Sequence, residues 1–152
     1  MRLYLPATLD EVVRPDDVLT PRSAHAVTPA LRAALPDEDD EGLEFVAQLA
    51  AADDSLALLA GQPDAPRLRL VVALDVAESL TAPTSAVLGP PTLVQLLGPV
   101  SLGDADSLLV DEPDALDDVV DALAGDAQAG DRLEERDLLW YDVSEIGRIP
   151  RV

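Results

Sequence analysis

The chain has 152 residues with thirty acids against ten bases, a formal net charge of −20, so it is sized for one domain and its field opposes nucleic acid and anionic lipid. It has no cysteine, which excludes disulfides, thiolate metal sites and cysteine nucleophiles, and every base is arginine. An apolar fraction of 48% is too high for a disordered chain, and with only Tyr4, Phe45, Trp140 and Tyr141 aromatic, the core of a single domain over residues 1–152 must come from Leu, Val and Ala.

A short strand, Leu3–Leu5, opens the chain and is expected to stop at Pro6. Thr8-Leu9-Asp10-Glu11 is a capping box, with the Thr8 hydroxyl placed for the Glu11 amide and the Glu11 carboxylate reaching back. Pro15 keeps that helix short. Thr28 and Pro29 restart a helix, as a capping hydroxyl and a first-turn proline, and Pro36 ends it. The acidic run Asp37 to Glu41 suits the positive end of a helix dipole. Beyond it Phe45, Leu49, Ala52, Leu56 and Leu59 recur at spacings of 4, 3, 4 and 3, one apolar stripe that predicts the longest helix and puts Leu49 and Leu56 in the core. Gly61 and Pro63 stop it.

Arg67 to Val76 reads as a strand, with Leu68, Leu70, Val72 and Leu74 on one face and Arg67, Arg69 and Val71 on the other, where the arginines can offset nearby acids. Residues 79–103 carry no charge and are long enough to span a bilayer as a helix. Pro83, Pro90, Pro91, Pro99 and three glycines break any such helix, so the stretch reads as a loop leading into a strand at Leu93 to Leu97, closed by Gly98-Pro99. Ser107 to Asp111 is the next strand. Pro113 opens a helix that buries Leu116, Val119, Val120 and Leu123, keeps Asp117, Asp118 and Asp121 on its wet face, and stops at Gly125. Residues 126–136 read as polar and irregular. Asp137 to Val143 is the last strand, with Leu139, Tyr141 and Val143 on one side. This order predicts an α+β fold: a mixed sheet with helices packed on one face, approximating a decorated ferredoxin-like split βαβ.

Three segments stand out together: Met1 to Leu9 (MRLYLPATL), Ala24 to Arg32 (AHAVTPALR) and Leu138 to Val143 (LLWYDV). In this order they resemble a family of uncharacterised actinobacterial proteins of about this length. The resemblance covers nearly the whole chain, and the second segment is its most specific part. Abundant Ala, Pro, Asp, Val and Arg, as a GC-rich genome produces, agree with such a source. The resemblance implies no activity and supplies no catalytic residue. Family members are typically richer between the last helix and the Trp-Tyr strand, and the 126–136 stretch here is short.

His25 is the only histidine and sits in the connection before Thr28-Pro29. It can be read as a general acid–base or single metal ligand, or as a structural residue bonded to nearby backbone. No Gly-x-Ser-x-Gly elbow occurs to supply a nucleophile. The run from Asp37 to Gly42 places acids at positions 1, 3 and 5 and glycine at 6 of a calcium loop, but position 12 is Gln48, so a solvated helix start explains it better. Asp104-x-Asp106 lacks a third ligand, and the glycines fit no dinucleotide or P-loop pattern. No metal and no cofactor is therefore expected. Trp140 and Tyr141 are the surface candidates: neighbours on a strand face opposite ways, so one can be core while the other is free to bind.

The ten arginines are too scattered for a nucleic-acid footprint. With no leader and no spanning helix expected, the expected compartment is the cytoplasm. The acidity has three readings: genome composition with solubility, salt adaptation, or a basic partner. The leading functional expectation is a non-catalytic protein-interaction or regulatory module with a strongly acidic surface and a basic protein partner. The alternative is a small enzyme or ligand-binding protein using His25 with a nearby carboxylate. Whether His25 lines a concave pocket beside an Asp or Glu separates the two.

Overall fold

The computed structural model describes residues 1–84 and 89–152. In chain order its elements are β1 (Arg2–Ala7), β2 (Val18–Leu19), β3 (Ser23–His25), α1 (Pro29–Ala34), α2 (Asp40–Ala60), β4 (Leu70–Asp75), β5 (Thr81–Pro83), β6 (Leu93–Leu96), β7 (Val100–Ser101), β8 (Ala105–Asp111), α3 (Leu116–Leu123), α4 (Ala127–Glu134) and β9 (Leu138–Tyr141). Seven strands form one sheet in the order β5-β6-β3-β1-β4-β8-β9, and β2 pairs with β7 separately. The fold is α+β, as expected.

Neighbouring strands are antiparallel throughout the sheet, which corrects the expected mixed sheet, and the expected split βαβ is present within it. A split βαβ needs a helix crossing between parallel strands. Here β3 and β4 each pair antiparallel with β1 between them and so run parallel to one another, and α1 and α2 make the crossing from the first to the second.

The alternation of the strands separates two cores. On one face Tyr4, Val71, Ala73 and Leu109 meet Ala47, Ala51 and Ala52 of α2. The C-terminal end of α2 packs through Leu59 on Ala115 and Val119 near α3 and Leu133 of α4. On the other face Leu3, Leu5, Val72, Leu74, Leu108 and Val110 form the larger cluster, closed by Leu9 and Ile146 from short 3-10 turns and by Leu19 and Val100 from β2 and β7.

Pro6 does not stop β1. Met1 and Val76 exchange two backbone hydrogen bonds at 2.9 Å, so odd-numbered residues of β1 bond β4 and even-numbered ones turn toward β3. The missing N–H of Pro6 faces that second side, beyond the Tyr4–His25 pair, and costs β4 no bond.

The buried stripe of α2 differs from the leucine stripe. Leu43, Ala47, Ala51, Ala52, Ser55 and Leu59 are buried, so Ala52 and Leu59 of the expected stripe hold, while Phe45 is exposed and Leu49 and Leu56 are half-buried. Small side chains let the helix approach the sheet closely. Ser55 adds a clasp: its hydroxyl donates to Ala7 O at 2.7 Å and accepts the Leu70 N–H at 2.9 Å. Hydrophobic periodicity ranks residues by apolarity and so overlooks a face made of alanine and serine.

Residues 126–136 are largely helical rather than irregular. Asp126 caps α4 by accepting the Gln128 N–H at 2.9 Å, and Ala129 and Leu133 are buried. That helix also corrects the wet face assigned to α3. Asp118 is buried because Arg132 and Arg136 close on it at 2.8 and 3.0 Å, while Val120 is exposed. The uncharged stretch supplies β5, β6 and β7; residues 85–88 lie outside the described residues. Among the described residues no helix is long and apolar enough to cross a membrane.

Candidate functional site

His25 lies on β3, not in a connection, paired with Tyr4 of β1 and Leu93 of β6 in the interior of the sheet. Its ring is 1% exposed and is held by two side chains instead of by backbone. Nε2 is 2.6 Å from Asp54 Oδ2 on α2, and Nδ1 is 2.8 Å from the buried Thr92 hydroxyl. An ionised carboxylate only accepts, so Nε2–H donates to Asp54 and, in the neutral ring, Nδ1 accepts the Thr92 hydroxyl proton. The three side chains lock β3, α2 and the chain entering β6 to one another.

Asp54 is 45% exposed in its side chain and lines a cleft of about 500 Å³ between β1, β3 and α2. His25 does not line it. The cleft also holds Glu11, Thr20, Arg22 and Gln62. Arg22 is saturated there: Nη2 donates to Glu11 Oε1 at 2.7 Å, Nη1 to Glu11 Oε2 at 3.1 Å and to Pro6 O at 3.0 Å, and Nε to Thr20 O at 3.0 Å. The same Glu11 accepts the Thr8 N–H at 2.9 Å as part of the expected capping box, and the Thr8 hydroxyl donates to Gln62 at 3.3 Å.

The engagement of Arg22 is general. Arg2, Arg14, Arg22, Arg32, Arg69, Arg132, Arg136 and Arg148 each meet a carboxylate. Arg67 donates to Leu59 O at 2.7 Å, and Arg151 donates to the carbonyls of Leu9 and Val12. Each arginine thus has a partner within the chain, with Arg14, Arg32 and Arg148 paired at the surface. Nine of the thirty acids meet an arginine, which leaves most of the negative charge outside any arginine pair. In the 37–42 run, Asp39 caps α2 on the Gly42 N–H at 2.8 Å and Asp40 meets Arg32 at 2.8 Å. Asp106 meets Arg2 at 3.2 Å. Among the described residues no group of three or more His, Asp or Glu is arranged to hold a metal ion.

Trp140 and Tyr141 separate as alternation requires. Tyr141 is half-buried against the larger core cluster, while Trp140 is 60% exposed on the helix-covered face, opposite Leu109. Their strand, β9, is one end of the sheet. It is preceded by Asp131, Glu134, Glu135 and Asp137, all exposed and outside the arginine pairs, because Arg132 and Arg136 point back to Asp118 and Glu112.

Sequence reasoning missed Asp54, Thr92, and the cluster of Glu11 with Arg22. One signal existed for Asp54: two acids, Asp53 and Asp54, interrupt the apolar run of α2, and such an interruption asks for a partner. Thr92 carried no local signal.

Comparison with known proteins adds one match. A protein-family model, described as a family of unknown function, matches residues 1–149. No curated protein and no solved structure matches the chain.

Proposed function

The chain belongs to DUF6912, a family of unknown function, and within that family we propose that it is a non-catalytic protein-interaction module, of a regulatory kind, that takes a basic partner. The observation that carries this reading is Trp140, the only tryptophan, standing exposed on the strand at the end of the sheet, in a chain most of whose acids no arginine pairs. Exposed aromatics anchor interfaces, and an unpaired acidic field steers cationic partners. The same field repels nucleic acid, and the arginines that would bind phosphate are occupied. A cytoplasmic setting and an actinobacterial source belong to the same proposal, the second supported by the GC-rich composition.

A second reading, a small enzyme or ligand-binding protein acting through His25 and a carboxylate, draws on the 2.6 Å contact with Asp54 beside the cleft. It has less support: the ring is buried, both nitrogens are engaged and the guanidinium of the cleft is saturated.

Trp140 fluorescence tests the first reading directly. A peptide alternating arginine and valine should change the emission saturably, and the response should weaken as NaCl rises. A peptide alternating glutamate and valine should not. No response to the basic peptide, or an equal response to the acidic one, would overturn the proposal. His25→Gln should leave the titration unchanged; loss of binding in that variant while the fold persists would favour the second reading.

A further inference from the structure

The ladder fixes which backbone groups of β9 are free. The Asp111 N–H donates to Arg69 O at 3.1 Å, so Asp111 and Leu109 turn their backbone toward β4. Leu108 and Val110 therefore turn toward β9, where their Cα partners are Tyr141 and Leu139. The intervening residues, Leu138 and Trp140, point their N–H and C=O groups away from the sheet. Among the described residues no strand lies on that side.

Natural edges are blunted by lysine, proline, bulges or inward charges. β9 reads Leu-Leu-Trp-Tyr and contains none of these; its charges stand at its ends, at Asp137 and Asp142. The edge thus offers two donors and two acceptors at a two-residue step of roughly 6.8 Å, beside an exposed indole ring.

Charge selects the occupant. A second copy would bring another −20 to the edge, and acids at the approach would face acids. A cationic segment is drawn by the unpaired acids, Asp137 at the entry to β9 among them, without competition from arginine. A guanidinium stacks on an indole face better than an ammonium does. We propose that β9 accepts an extended, arginine-bearing segment of a partner protein as an additional strand of the sheet, with one guanidinium over Trp140. This rests on the interaction reading above and specifies its geometry.

The test compares the alternating arginine–valine peptide with its counterpart N-methylated at every residue, which keeps the charges and loses every strand donor. Trp140 fluorescence reports both titrations. The methylated peptide should bind about tenfold weaker or worse, the loss expected when backbone hydrogen bonds are removed. Affinities within about twofold of each other would overturn strand addition while leaving acidic-surface binding intact. If neither peptide binds, the interaction reading itself fails, and this inference with it. Sedimentation of the free chain in high salt supplies a second check. It should remain monomeric; a dimer that Trp140→Ala abolishes would make a second copy the occupant and overturn the assignment.

Discussion

Arg69 and Asp111 face each other across the β4–β8 boundary with both side chains buried, and the guanidinium Nε and Nη2 each lie 2.9 Å from a carboxylate oxygen. Asp111 also accepts the Arg69 backbone N–H at 2.8 Å, and Arg69 Nη2 donates to Leu133 O at 3.2 Å, tying α4 to the sheet. A buried pair is weak evidence of net stabilisation, but removing one partner leaves an uncompensated charge.

Asp111→Ala should therefore cost about 3–5 kcal/mol in urea denaturation. Replacing both residues, Arg69→Met with Asp111→Leu, should recover a large part of that loss. Strictly additive costs in the double-mutant cycle would show that the two side chains act independently.

The face of α2 that meets the sheet gives a second expectation. Leu59→Ala, at a fully buried position, should cost about 2–5 kcal/mol, and Leu56→Ala, half-buried, distinctly less. Ala51→Leu should also destabilise, by about 1–3 kcal/mol, because the helix already sits close to the sheet. Equal costs at Leu56 and Leu59 would mean that the leucine stripe, not the alanine face, seats the helix.

Charge makes a third. Most acids lie outside the arginine pairs, and salt screens surface repulsion over about 8–10 Å. The melting temperature should rise as NaCl goes from low to physiological concentration. A flat or falling trend would mean that the nine paired acids, not the free ones, dominate the electrostatics.

Acid stability supplies the fourth. Hydrogen bonds from Arg132 and then Arg136 hold the Asp118 carboxyl below the usual carboxylate range. A carboxyl whose folded value is depressed contributes stability that is fully present above its unfolded pKa, about 3.9, and is lost as pH falls through the folded value. Asp75, lowered by Arg2, acts in the same direction. The drop in urea midpoint between neutral pH and about pH 3 should be smaller in Asp118→Asn than in the parent chain. An unchanged drop would remove Asp118 from the acid transition.

The site was only partly legible in advance. Strand alternation alone separates Trp140 from Tyr141, since successive side chains leave a strand on opposite faces. Alternation does not say that β9 ends the sheet, and without that fact Trp140 is only an exposed ring. His25 drew notice as the sole histidine, yet its partners are 29 and 67 residues away, and no local pattern names them.

What the amino-acid order determined by itself was local. The Thr28 cap accepts the Leu31 N–H at 3.0 Å, Gly61 and Gly125 end their helices, the latter at φ +101°, and the strands at Leu93 and Ser107 form where apolar runs meet turn residues. Each of these is settled by groups a few residues apart, through steric limits on φ and hydrogen bonds that close within one turn. Strand order, the burial of Asp118 and the choice of the alanine face of α2 were decided only in the tertiary structure. They depend on satisfying every buried N–H, C=O and charge together, and the partners that do so come from distant parts of the chain.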